Sequence, residues 1–276
     1  MRIEPACEHF GAFVSDVDLR QLSDDDTAAI EAAWAEHGVL FFRDQPLSPD
    51  EHIAFAERFA PIDVNKFFRP VDGHPKIAQV LKEPDQIANI GGGWHTDHSY
   101  DQIPARGSIL LAQEVPPTGG DTLFMSVAAA YDALDDDLKQ RLVDLEADHS
   151  NEHVFGAGTK QMADAGERMS NSDQTGNARH PIVVAHPTTG RKLLYVNAAF
   201  TISIVGMSRD ESDALLGQLY EHMVQPEFSY RYRWEAGSIA MWDNRSTWHW
   251  ALNDYPGHRR LMHRITVQGE PLTAAA

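Results

Sequence analysis

A short motif, Trp94-His95-Thr96-Asp97, constrains this chain more than any other stretch of its sequence. In an extended strand side chains alternate between faces, so we expect His95 and Asp97 to project together. With His249 from far along the chain, they would form the two-imidazole, one-carboxylate triad that holds non-haem Fe(II) and leaves coordination positions open. A lone His-x-Asp also arises by chance among 14 histidines and 41 acidic residues. The triad is therefore a hypothesis that the rest of the chain has to support.

Length and composition are those of a globular protein with a large core. Hydrophobic residues make up 42% and charged residues 23% of the 276 residues. All-β barrels and sandwiches of this size form single domains, so we expect one domain over residues 1–276. We find no apolar run near the roughly 20 residues of a membrane span, and residues 1–5 have no signal-peptide core. We therefore expect a cytoplasmic protein that does not bind a membrane.

The charge balance and the cysteine count exclude further classes. A formal net charge of −18 argues against binding to nucleic acid, whose phosphates need a basic surface. Cys7 is the only cysteine, so the chain has no internal disulfide and no thiolate metal site. A cytoplasmic enzyme is the default interpretation.

Local patterns predict strands in both halves of the chain, with helices between them. Ser23 and Gly38 bracket a helix at 24–37. Ser48 and Glu51 form a capping box at the start of a second helix. The other predicted helices are 127–134, 136–147 and 208–223, and the main predicted strands are 39–42, 77–81, 94–97, 107–113, 122–124, 182–185, 193–197, 229–234, 238–242 and 261–268. This order is typical of a β-sandwich or barrel with helices packed outside.

Residues 156–180 are low in large apolar groups and rich in Gly, Ser, Asn and Asp. A long loop without secondary structure is uncommon inside a compact domain. Two interpretations remain open, a disordered insertion and an active-site lid. We favour the lid.

The last predicted strand carries two arginines on one face. At a period of two, Arg260, Met262 and Arg264 point the same way, and the alternate residues form a largely apolar face. Burying two like charges without an anion is costly, whereas a guanidinium forks well onto a carboxylate or a sulfonate. The plain alternative is two surface arginines paired with acidic neighbours. A metal triad beside them would favour anion binding.

Four short motifs follow one another along the chain. They are Trp94-His95-Thr96-Asp97, Gly119-Gly120-Asp121-Thr122, Trp242-Asp243-Asn244-Arg245, and His249 followed after ten intervening residues by Arg260. On these residues the chain resembles the taurine dioxygenase (TauD/TfdA) family of Fe(II)/2-oxoglutarate-dependent dioxygenases. The resemblance runs from Gly38-Val39-Leu40-Phe41-Phe42-Arg43 to Arg264.

The resemblance implies a fold, an activity and a set of ligands. The fold would be mainly β with flanking helices, a double-stranded β-helix or jelly roll. Fe(II) would be bound by His95, Asp97 and His249. The cosubstrate 2-oxoglutarate would chelate the metal, its distal carboxylate would meet Arg260 and Thr122, and O2 would take the last position. Relatives often form dimers or tetramers, so the resemblance also implies a homo-oligomer.

The resemblance also suggests where a substrate binds. Arg264 matches the position that faces the substrate's anionic group, and Phe155 and Phe200 match apolar pocket positions. For the two phenylalanines, ordinary core packing is the alternative. Family members commonly hydroxylate carbon next to sulfur or oxygen, and the product collapses to a carbonyl compound with release of sulfite, sulfate or phenol. Asp97 is present, which favours hydroxylation over halogenation.

Departures from the taurine-specific members bear on the substrate. Those members carry His, Tyr and Asn at positions that correspond here to Asn65, Phe68 and Gly91. A taurine amine would lose its polar partners, so taurine itself is a doubtful substrate. Another sulfonate, a sulfate ester or an aryloxyalkanoate fits better. Asn65 and Arg69 could contact a larger substrate or could simply be loop surface.

Two other functions remain open for the same residues. A zinc hydrolase would use the same two histidines and aspartate, would need neither O2 nor 2-oxoglutarate, and would leave Arg260 without a purpose. A non-catalytic anion-binding module would keep its ligand after His95→Ala and would show no turnover.

Overall fold

The computed structural model describes residues 1–156, 159 and 175–275. The helices are α1 (Asp24–His37), α2 (Pro49–Glu57), α3 (Val127–Asp132), α4 (Asp136–Leu142), α5 (Glu152–Phe155) and α6 (Arg209–Met223). The strands are β1 (Arg2–Pro5), β2 (Ala12–Ser15), β3 (Val39–Phe42), β4 (Ile62–Asp63), β5 (Pro70–Val71), β6 (His74–Lys82), β7 (Gly107–Glu114), β8 (Thr122–Ser126), β9 (Glu146–Ser150), β10 (Asn177–Pro181), β11 (Val183–Ala185), β12 (Lys192–Leu194), β13 (Thr201–Ile204), β14 (Ser229–Tyr232), β15 (Ile239–Asp243), β16 (Thr247–Ala251) and β17 (Arg260–Val267). None of the helices in these ranges is both long and apolar enough to cross a lipid bilayer.

Two sheets enclose the core that carries the site. The larger sheet has the order β1-β2-β3-β15-β7-β17-β6-β5, with β4 also paired to β17, and the smaller has the order β14-β8-β16. In the larger sheet β2 and β3 are parallel, and the other pairs are antiparallel. Together with the flanking helices, the facing sheets form the jelly roll that the resemblance implied.

The inner faces of the two sheets pack against each other through large apolar side chains. Phe41 on β3, Trp242 on β15 and Met262 on β17 lie in one buried cluster with Phe124 of the smaller sheet. The ring centroids of Phe41 and Phe124 are 5.6 Å apart. Because Met262 belongs to this inner layer, the two arginines that flank it on β17 also point between the sheets.

Helices α1 and α2 cover the outer face of the larger sheet. Trp34 and Phe55 from these helices share a buried cluster with Ile265 and Val267 of β17. The predicted helix at 24–37 is confirmed to the residue. Ser23 caps it, and the chain leaves it through Gly38 at a φ of 72°, a conformation that glycine adopts at little cost.

Three sequence predictions are wrong or fall outside the described residues. The predicted helix at 136–147 ends at Leu142, and Glu146–Ser150 is instead strand β9, which pairs with β10 and β13. The predicted strand at 94–97 is reduced to a single bridge at His95. Most of the predicted lid at 156–180 lies outside the described residues, and its last part, Asn177–Pro181, is strand β10.

Candidate metal centre and anion pocket

A backbone bridge brings the distant histidines together. His249 lies in the middle of β16, and its N–H donates to the carbonyl of His95 at 2.8 Å, while the N–H of His95 donates to the carbonyl of His249 at 3.2 Å. The Nε2 atoms of His95 and His249 lie 3.8 and 3.7 Å from the carboxylate oxygens of Asp97. The ligand atoms of the three residues all lie within 4.8 Å of one another. The structure thus gathers the predicted triad at one point.

His95 and Asp97 face the same side although residues 94–97 do not form a regular strand. The Thr96 hydroxyl turns away and donates to the carbonyl of Asn244 at 2.5 Å. His98 has a φ of 61°, so the chain changes direction immediately after Asp97. Strand pairing does not continue past Asp97. Side chains alternate between faces only over residues 95–97, which is enough to place His95 and Asp97 on the same side.

The surroundings of Asp97 and His249 favour the forms that bind a metal. Burial opposes ionisation of Asp97, but the attraction of the Arg264 guanidinium, the largest opposing cause, favours it, and the pKa of the carboxyl is lowered. Burial lowers the pKa of His249 well below its ordinary value. Nδ1 of His95 lies 2.8 Å from the carbonyl of Gly93, so it carries the proton and Nε2 is free to coordinate. A carboxylate and two imidazoles are a donor set that fits a divalent metal.

Ser108 is a contributor that the sequence analysis missed. It lies fully buried on β7, and its hydroxyl donates to Oδ2 of Asp97 at 3.3 Å. Such outer contacts orient a ligating carboxylate and tune its affinity for the metal. The available signal was a single serine near the start of the apolar strand 107–113.

Arg260 fits an anion that the protein itself does not provide. Its side chain is 4% exposed, and its Nε donates to the carbonyl of Gly120 at 3.1 Å. Gly120 is itself held by Asp254, whose Oδ1 accepts its N–H at 2.7 Å. Among the described residues, Nη2 of Arg260 has no hydrogen-bond partner. A buried guanidinium nitrogen without a partner is costly, and a carboxylate would satisfy it.

Apart from Arg69, every residue predicted to contact cosubstrate or substrate lines one cavity with the triad. The cavity has a volume of about 1020 Å³. The predicted residues along its wall are Thr122, Arg260, Arg264, Asn65, Phe68, Phe155 and Phe200. The side-chain oxygen Oδ1 of Asn65 is used within its own loop, because it accepts hydrogen bonds from the backbone N–H groups of Phe67 and Phe68 at 2.9 Å each. Arg69 is exposed and lies outside this wall.

Part of the cavity wall is aromatic. Phe67, Phe68, Tyr100 and Phe200 belong to one buried cluster, with Phe155 packed against it. Phe67, which the sequence analysis did not single out, stacks on Phe155 with ring centroids 4.8 Å apart. The cavity is therefore lined both by the two arginines of β17 and by aromatic side chains.

The sequence is similar to those of known proteins over nearly its whole length. The family described as "Taurine catabolism dioxygenase TauD, TfdA family" matches residues 2–266. The (S)-phenoxypropionate/alpha-ketoglutarate-dioxygenase of Sphingobium herbicidovorans is 36% identical over an alignment 288 residues long, gaps included, which covers 99% of this chain and 97% of that protein. An alkylsulfatase of Acinetobacter baylyi is also 36% identical, over 96% of this chain and 84% of its own length.

A solved structure agrees over the same length. The crystal structure of AAD-2 in complex with Mn(II) and N-oxalylglycine superposes with a TM-score of 0.82 at 31% sequence identity. It covers 99% of this chain and 100% of that chain. Sequence and fold agree over nearly the whole chain, and the chain therefore belongs to the TauD/TfdA family of taurine catabolism dioxygenases.

Proposed function

We propose that this protein is an Fe(II)- and 2-oxoglutarate-dependent dioxygenase that hydroxylates a small organic anion next to a heteroatom. The observation that carries the proposal is the pair of buried guanidiniums, Arg260 and Arg264, in the same cavity as the triad. A metal site alone would serve many reactions. The two cations add places for two anions, one for a dicarboxylic cosubstrate and one for the substrate.

The metal would be held by His95, Asp97 and His249, and the distal carboxylate of 2-oxoglutarate by Arg260 and Thr122. With O2, these groups supply the oxidation, in which 2-oxoglutarate yields succinate and CO2 and one oxygen atom enters a C–H bond of the substrate. The protein's own contribution is to leave coordination positions open, to orient both anions and to exclude bulk water. Hydroxylation next to the heteroatom gives a carbonyl product and releases sulfite, sulfate or phenol.

The substrate end of the cavity favours an anion with an apolar body. Arg264 would bind its sulfonate, sulfate or carboxylate group, and the aromatic wall with Phe68, Phe155 and Phe200 would pack on the rest. Asn65 would contact the substrate only through its amide nitrogen, because its oxygen serves the loop. Gly91 and Phe68 offer no polar side chain to an amine, which argues against taurine. The named activities of the relatives, on a phenoxypropionate and an alkyl sulfate, are of the expected type.

The direct test is succinate formation. Purified protein receives Fe(II), 2-oxoglutarate and air, with a panel of alkylsulfonates, alkyl sulfate esters and aryloxyalkanoates as substrates. We expect one class to stimulate succinate formation and to yield the matching carbonyl product. His95→Ala should abolish both, whereas His258→Ala, at an exposed position, should not. Product formation from the same panel under nitrogen without 2-oxoglutarate would instead identify a metal-dependent hydrolase, and substrate binding without turnover would identify an anion-binding module.

Two further properties belong to the proposal. Residues 1–276 would form a single domain, because the larger sheet joins β1, near the N-terminus, to β17, near the C-terminus. The protein would form a homo-oligomer, a dimer or a tetramer. Light scattering coupled to size-exclusion chromatography measures the oligomeric mass directly.

A further inference from the structure

A buried tryptophan contacts both groups that we assign to the distal carboxylate of 2-oxoglutarate. Trp234 is 5% exposed and lies behind the wall of the cavity that Thr122 and Arg260 form. Its Nε1 donates to the Thr122 hydroxyl at 2.9 Å. The Arg260 guanidinium carbon lies 5.8 Å from the centroid of its ring. One side chain thus contacts both Thr122 and Arg260.

The direction of the first contact fixes what the Thr122 hydroxyl can do. An indole N–H can only donate, so the hydroxyl oxygen must accept. A hydroxyl has a single proton, and this contact leaves that proton available for a second partner. An ionised carboxylate can only accept. The contact therefore prepares the hydroxyl of Thr122 to donate to a carboxylate.

The second contact acts on the guanidinium. An aromatic face at this distance stabilises a cation that has been taken out of water. The carbonyl of Gly120 accepts a hydrogen bond from Nε of Arg260, and among the described residues Nη2 has no partner. Thr122 and Arg260, the two residues that Trp234 contacts, line the same cavity.

We propose that Trp234 is a positioning residue that acts through Thr122 to select 2-oxo acids with a second carboxylate. The inference rests on the proposed function, since it concerns the cosubstrate of that reaction. Its contribution is directional and small in size, about that of one hydrogen bond to a charged group. Trp234 does not touch the metal, so it should not affect the chelating end of the ligand.

Calorimetric binding tests the inference without turnover. The Mn(II)-loaded protein is titrated under nitrogen with 2-oxoglutarate and with 2-oxobutyrate, which lacks the distal carboxylate. The variants are Trp234→Phe, which keeps an aromatic ring and loses the N–H, Thr122→Val, which keeps the shape and loses the hydroxyl, and the double variant. Tyr232→Phe is the matched control, because it removes a hydroxyl from the neighbouring ring and leaves the Trp234 N–H in place.

We expect Trp234→Phe to raise the Kd for 2-oxoglutarate about tenfold and to leave the Kd for 2-oxobutyrate within about twofold. Tyr232→Phe should change neither. The double variant should bind 2-oxoglutarate within about twofold of Thr122→Val alone, because the tryptophan acts through the hydroxyl. An unchanged Kd in Trp234→Phe, equal losses for both ligands, or losses that multiply in the double variant would each overturn the inference.

A substitute variant and the wild-type protein serve as controls for interpreting the result. If Trp234→Phe lowers the yield of folded protein, 3-benzothienylalanine at position 234 keeps the bicyclic ring and lacks the N–H. If the wild-type protein does not bind 2-oxoglutarate at all, the proposed function itself has failed. If the wild-type protein binds it and the variants behave alike, only the role of Trp234 has failed.

Discussion

Nη2 of Arg264 lies 2.8 Å from Oδ2 of Asp97, and the two residues are only 7% and 8% exposed. A cation that we assign to the substrate therefore touches a residue that we assign to the metal. Among the described residues Arg260 has no such ion pair, and the carbonyl of Gly120 accepts a hydrogen bond from its Nε instead. Arg260 and Arg264 thus have different surroundings although they lie on the same face of β17. We therefore expect different roles, 2-oxoglutarate binding for Arg260 and substrate binding for Arg264.

Arg260→Ala should raise the requirement for 2-oxoglutarate far more than Arg264→Ala does. Arg260 lines the cavity, and loss of a charge-assisted contact from its guanidinium should weaken 2-oxoglutarate binding by roughly tenfold to a hundredfold. Arg264→Ala should raise the KM for the organic substrate by a similar factor. The measurement is succinate formation with each reactant varied in turn. Equal effects of the two variants on 2-oxoglutarate would contradict the division of roles.

Ser108→Ala should weaken metal binding. The Ser108 hydroxyl donates to Asp97, and its loss leaves the carboxylate less well oriented for the metal. We expect the Kd for Mn(II) to rise about tenfold, at the lower end for an outer contact because the bond is long. The control is Ser238→Ala, a buried serine whose hydroxyl accepts from Arg43. Titration calorimetry gives the Kd for Mn(II) from the heat of binding, and electron paramagnetic resonance gives it from the concentration of free Mn(II). Identical Kd values in both variants would refute a role for Ser108.

The sequence predicted the local elements better than the contacts between them. Helix α1 was predictable to the residue because its start at Ser23 and its end at Gly38 are determined locally. The strand at Glu146–Ser150 was not, because its residues favour a helix and only pairing with β10 and β13 makes them extended. The contact from Ser108 to Asp97 depends on the register of two sheets and on a loop, and neither is visible in one sequence.

The motif residues show the same division. The positions of the triad could be inferred from composition, spacing and resemblance, and the structure brings them together. The aromatic wall was predicted only in part. Phe155 and Phe200 were named, but Phe67 was not, because a phenylalanine in a loop gives no sign of which side of the chain it will cover.

Stability should fall as the pH drops below neutrality, and His52 should carry part of that change. Burial lowers the pKa of His52 from 6.5 to about 3 in the folded protein. Between these values the unfolded chain binds a proton that the folded protein does not, so the contribution is complete above pH 6.5 and is lost as the pH falls towards 3. One such histidine accounts for about 2 kcal/mol of unfolding free energy between pH 7 and pH 5.

The measurement compares urea unfolding at pH 7 and pH 5. His52→Leu should reduce the difference between the two free energies of unfolding by about 2 kcal/mol. Buried His149 should maintain a similar dependence, because burial lowers its pKa to about 3 as well. His258→Asn, at an exposed position, is the control. A pH dependence in His52→Leu as steep as in the wild type would show that His52 is protonated equally in both states.

Phe200→Ala should reduce the affinity for substrates with a large apolar body and spare the small ones. The ring of Phe200 lies 4.9 Å from that of Tyr100 and 6.4 Å from that of His95, so it joins the aromatic wall to the metal centre. Removing it takes away an apolar contact beside the metal centre. We expect the KM for a phenoxyacetate to rise about tenfold more than the KM for methoxyacetate. The Kd for 2-oxoglutarate should stay within about twofold, because Arg260 and Thr122 are untouched. An equal rise in KM for both substrates would mean that Phe200 stabilises the core and does not contact the body of the substrate.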